Sequence, residues 1–68
     1  MRKDLSPREH EVVALVAEGK TNRQIANELG LAEATVRHYL ESAMRKVGVD
    51  NRTSLAMVWR DEQDTTAR

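Results

Sequence analysis

Residues 22 to 39, NRQIANELGLAEATVRHY, set a small residue at Ala26, a glycine at Gly30 and a β-branched residue at Val36 inside an apolar frame of Ile25, Leu29, Leu31 and Tyr39. That spacing predicts two short helices crossing at a tight turn. Ala26 allows close approach, Gly30 supplies the positive φ that a chain commonly needs between two helices, and Val36 pins the second helix onto the first. The pair reads as a helix-turn-helix, a DNA-binding module.

Upstream, Ser6 predicts an N-cap, with Pro7 at the first helical position, where its missing N–H costs nothing, and Glu9 closing a capping box. Val12, Val13, Leu15, Val16 and Ala17 give an apolar side, so a first helix is expected over roughly 7 to 18, stopped by Gly19. Glu9 and Glu11 are expected in its solvated first turn. Thr21 and Gln24 form a second capping pair, and Gly30 ends the helix they open.

A third helix is expected from about Ala32 or Glu33 to Val47, with Val36, Leu40, Ala43, Met44 and Val47 in one apolar stripe. At about 100° per residue, Ala34, Arg37, His38, Glu41 and Arg45 point away from that stripe, and Thr35, Ser42 and Lys46 lie along one flank. After Gly48, Asp50 or Asn51 caps a fourth helix running from Arg52 to Trp59. Its unbroken apolar run from Leu55 to Trp59 covers more than one face, so part should pack on the core and the rest should meet something else. The expected domain is 1–60, followed by a polar tail over 61–68 that is expected to fray.

The chain has 68 residues, enough for one small domain whose stability rests on helix packing. It has no cysteine, which excludes disulfides and thiolate metal sites, and its two histidines, His10 and His38, are too far apart in sequence to suggest a metal cluster. No apolar run approaches a membrane span, and MRKDLSPRE lacks the apolar core of a signal peptide. A soluble, cytoplasmic, nucleoid-associated chain is expected, without metal or cofactor.

Net charge is zero, but Asp61, Glu62 and Asp64 against Arg68 leave residues 61–68 at −2, so residues 1–60 carry +2. So weak a surplus makes nucleic-acid binding depend on where the cations sit, and on two copies acting together. No nucleophile is paired with a base: Ser6 and Thr21 are caps. An enzyme is not expected.

The stretch LSPREHEVVALVAEGKTNRQIANELGLAEATVRHYLESAMRKVGVDNRTSLA resembles the DNA-binding domain of the LuxR/NarL/GerE family, through LSPRE, TNRQIA, TVR, KVGV and NRTSLA in that order. The resemblance implies an all-α, wing-free four-helix bundle with a central helix-turn-helix, as in LuxR-type C-terminal effector domains. In such a domain the third helix reads double-stranded DNA and the fourth commonly mediates dimerisation.

Position by position, the resemblance places Arg37 and His38 at base edges and Glu41 at a site that often holds lysine. Arg45 joins them from the outward face. Thr21, Asn22, Arg23, Thr35, Lys46 and Arg52 match positions near phosphates, with Tyr39 added where histidine is frequent. Leu55, Met57, Val58 and Trp59 are the expected homodimer surface, and RNA polymerase is a further expected partner. Ala32 departs from the family's usual serine cap, a loss worth about 1 kcal/mol. Glu41 puts a carboxylate on the groove face, where it repels phosphates unless it accepts from cytosine N4 or pairs with Arg37 or Arg45.

Two other readings stand beside the regulator: a protein-interaction or adaptor module of helix-turn-helix shape, and a sigma-factor-like promoter-binding region. Added salt separates the first from DNA binding, which should weaken steeply. The closing NRTSLA argues against the second.

Overall fold

The computed structural model describes the backbone of residues 5–66 and the side chains of residues 5–63. Four helices follow in order: α1 (Pro7–Ala17), α2 (Asn22–Leu29), α3 (Glu33–Val47) and α4 (Arg52–Thr66), with no strand among the described residues.

The helix starts follow the capping chemistry of the sequence. Ser6 Oγ accepts from the Glu9 N–H at 3.1 Å while the Ser6 N–H donates to Glu9 Oε1 at 2.8 Å. Thr21 and Gln24 repeat the exchange at α2, at 3.1 and 2.9 Å. At α4 the cap is Asn51, whose Oδ1 accepts from the Ser54 N–H at 2.8 Å. Only α3 begins without a side-chain acceptor, at Ala32. Each such cap contributes about 1 kcal/mol, so α3 owes its start to packing instead.

Gly30 ends α2 at φ +69°, and its N–H and that of Leu31 both reach the Ala26 carbonyl. This left-handed residue turns the chain from α2 into α3 within three residues, and there a side chain would be strained.

The core joins Val12, Val13 and Val16 of α1, Ile25 and Ala26 of α2, Val36, Leu40 and Ala43 of α3, and Leu55 and Ala56 of α4, with Leu5 over one end. Helix α1 packs on both α3 and α4, and α2 packs on α3. Val12, Val13, Ile25, Val36 and Leu55 are fully buried, each stabilising the fold by about 1.5–3 kcal/mol. Met44 and Val47 flank that core from α3.

Helix α4 continues past Trp59, where the sequence reading ended it, to Thr66. Asp61, Glu62, Gln63 and Asp64 lack apolar periodicity, but no glycine or proline interrupts Arg60 to Thr66, and a helix already nucleated on the core extends at little cost. Residues 1–4 of the expected domain and residues 67–68 of the expected tail lie outside the described residues.

Candidate nucleic-acid interface

Because Val36, Leu40 and Ala43 turn into the core, the opposite side of α3 faces out. Ala34, Arg37, His38, Glu41 and Arg45 are all exposed there. Among the described residues no side chain of Arg37, His38, Glu41 or Arg45 forms a hydrogen bond or ion pair. Glu41 therefore does not pair with either arginine one turn away. The face is a charged stripe, positive at Arg37, negative at Glu41 and positive at Arg45, whose groups keep their full capacity for an external partner.

Helix α2, which packs on α3, carries the next group of expected contacts at its N-terminus. Thr21 and Arg23 are exposed, and Arg23 has no partner among the described residues. Asn22 is half-buried and already engaged: Arg52 of α4 donates Nη1 to Asn22 Oδ1 and Nη2 to the Lys20 carbonyl, both at 2.5 Å. Arg52 thus ties the first turn of α4 to the start of α2. Both side chains, expected at phosphates, thus also have an internal structural task. Lys20 makes a further surface tie, 2.8 Å from Glu28, which raises its pKa.

A larger correction concerns Glu9. Expected in solvent, it is buried beneath α3, where the Ser42 hydroxyl donates to Oε2 at 2.5 Å and the Lys46 ammonium to Oε1 at 2.9 Å. Burial alone raises this carboxyl, but the hydrogen bonds from Ser42, the Ser6 N–H and Lys46, together with the Lys46 charge, outweigh it and lower the pKa from 4.5 to about 2. Lys46 keeps its side chain 36% exposed. It fixes the last turn of α3 to the first turn of α1, a task the sequence reading did not find. Glu9 was accounted for by its capping box, and nothing local couples it to residues 33 and 37 positions downstream.

Thr35 and Tyr39 are half-buried, Tyr39 against the core. Of the expected dimer surface, Leu55 is corrected: it is fully buried in the domain's own core and offers no area to a second copy. Val58 is half-buried, and Trp59 packs on the core with its ring edge-to-face with His10, centroids 4.7 Å apart. Met57 alone of the four stands well exposed, at 57%. Arg60, one residue beyond Trp59, donates Nη2 to the Ala17 carbonyl at 3.0 Å and closes the C-terminus of α1.

The family model described as "Bacterial regulatory proteins, luxR family" matches residues 3–59. The chain is 49% identical over 53 residues to the two-component response regulator PprB of Pseudomonas aeruginosa, a match covering 78% of this chain and 19% of that protein. It is 45% identical over 49 residues to the spore germination protein GerE of Bacillus subtilis, covering 72% of this chain and 66% of GerE. Among solved structures, the response regulator ChrA of a heme-sensing two-component system superposes with a TM-score of 0.82 at 40% identity, over 93% of this chain and 31% of that one. The chain spans about a fifth of PprB and less than two thirds of GerE.

Proposed function

The chain belongs to the luxR family of bacterial regulatory proteins, and from that premise we propose that it binds double-stranded DNA by laying the outer face of α3 in the major groove. The observation that carries this reading is the exposed stripe of Arg37, His38, Glu41 and Arg45, unpaired within the described residues, on a helix whose other side is core. A major groove admits an α-helix, and residues toward the N-terminal end of a recognition helix meet base edges. Arg37, in the second turn, is the main base reader through guanine O6 and N7, with His38 beside it and Arg45 further along the groove.

Arg23, Thr21 and Thr35 supply phosphate contacts from the two helix starts, where backbone N–H groups also face an anion. Lys46, Tyr39, Asn22 and Arg52 border the same phosphates while serving the fold. Two copies meet through Met57 and the outer sides of Val58 and Trp59, setting two α3 helices in successive grooves about 34 Å apart. Dimerisation supplies the affinity that a weakly charged single copy lacks. The chain acts as, or within, a transcription regulator in the bacterial cytoplasm at the nucleoid, with RNA polymerase as a further partner and no catalytic step.

The test is selection of duplexes from a random pool, followed by anisotropy titration between about 50 and 200 mM salt. A preferred site whose affinity falls steeply with salt supports the reading. Salt-independent self-association with no selected duplex overturns it in favour of an adaptor.

A further inference from the structure

From the carboxylate at the centre of the α3 face, unpaired among the described residues, we infer that Glu41 is a specificity determinant that selects a C·G base pair. This rests on the reading that α3 enters the major groove. Glu41 is exposed, lies between Arg37 and Arg45 at one-turn spacing, and is ion-paired to neither. An ionised carboxylate only accepts hydrogen bonds, so on a base edge it requires a donor. The major groove offers two, cytosine N4 and adenine N6. The adenine amino group is flanked by acceptors on both sides, its own N7 and thymine O4, which repel a carboxylate. The cytosine amino group has an acceptor, guanine O6, on one side only. Cytosine is the base that Glu41 favours.

The same charge acts against every other site. Facing phosphates or acceptor-rich edges, Glu41 is repelled, and it lowers affinity for unselected DNA while Arg37 and Arg45 raise it. Discrimination therefore arises from attraction at one pair and rejection elsewhere. Four residues of helix rise about 6 Å and adjacent base pairs lie about 3.4 Å apart, so the C·G pair falls within about two steps of the pair Arg37 contacts.

The experiment selects duplexes from a random pool with the parent chain and with Glu41→Ala, Glu41→Gln and Glu41→Lys at one salt concentration, then titrates single-pair variants of the parent's site. Circular dichroism checks that the variants fold, as an exposed position should allow. The parent should lose about tenfold in affinity when the C·G pair is replaced, a difference within the range of one good base contact. Glu41→Ala should reduce that discrimination to less than about twofold and bind unselected DNA more tightly. Glu41→Lys should move the preference to guanine at the same position. If Glu41→Ala keeps the parent's preference at every position, or all three variants change affinity uniformly, the role of Glu41 is overturned while DNA reading by α3 stands. If the parent selects no duplex, the DNA reading itself fails and this inference with it.

Discussion

The Lys46 ammonium at the end of α3 lies 2.9 Å from Oε1 of Glu9 at the start of α1, a carboxylate whose side chain is only 6% exposed. With the Ser42 hydroxyl on the other oxygen, this pair fixes the helix carrying the exposed Arg37–Arg45 stripe to the helix that anchors the core. A buried carboxylate held by several donors stabilises the folded state only while it is ionised.

Acid should therefore weaken the fold through Glu9. Its pKa falls from 4.5 to about 2 on folding, so the contribution is complete above about 4.5 and is lost as pH drops toward 2. It amounts to about 2–3 kcal/mol, allowing for solvent screening at the half-open Lys46 end. Chemical denaturation between pH 7 and pH 2 should show that loss in the parent and a flatter profile in Glu9→Gln, which is less stable at pH 7. Equal acid profiles for the two would show that Glu9 is not the group responsible.

Base reading and phosphate contact should separate at Arg37 and Arg23. Both are exposed and unpaired among the described residues, but Arg37 lies on the outer face of α3 and Arg23 at the start of α2. Arg37→Ala should cost about 1–3 kcal/mol on the preferred site and blur preference at one position. Arg23→Ala should weaken all sequences alike and lower the salt slope by about one. Anisotropy on matched and scrambled duplexes measures both, and identical behaviour of the two variants would refute the division.

The turn between α2 and α3 offers two opposite stability changes. Ala32→Ser restores an acceptor at the uncapped start of α3 and should add about 1 kcal/mol. Gly30→Ala meets no atom within 4 Å but must hold φ +69°, so it should cost about 1–2 kcal/mol from backbone strain alone. Urea midpoints at constant m-value decide both.

Core and surface should divide cleanly within α4. Leu55→Ala removes a fully buried side chain and should cost about 2–5 kcal/mol whatever the protein concentration. Met57→Asp, at a position 57% exposed, should leave the monomer's stability within about 0.5 kcal/mol while weakening dimerisation. Sedimentation equilibrium with and without duplex reads the second effect, and an unchanged dimer would remove Met57 from the interface.

Local chemistry was legible in the sequence, and long-range chemistry was not. Ser6 with Glu9 and Thr21 with Gln24 announce their helices because the cap partners lie three residues apart. Gly30 marks the turn through its positive φ, and the outward side of α3 follows from helical period alone. The ties Glu9 to Ser42 and Lys46, and Arg52 to Asn22 and Lys20, span 30 to 37 residues, and no local pattern specifies them. Leu55 was misassigned for a related reason. An apolar run of five on one helix shows that several faces are covered, whereas which residue turns inward depends on how α4 meets α1.

The meeting of His10 and Trp59 across that seam gives the chain a built-in optical gauge. Trp59 is its single tryptophan and sits edge-on to an α1 side chain, remote in sequence from the α2–α3 turn. Its fluorescence emission reports whether α1 and α4 remain docked, so the loosening of that seam can be timed separately from events at the outer face of α3, without attaching a dye.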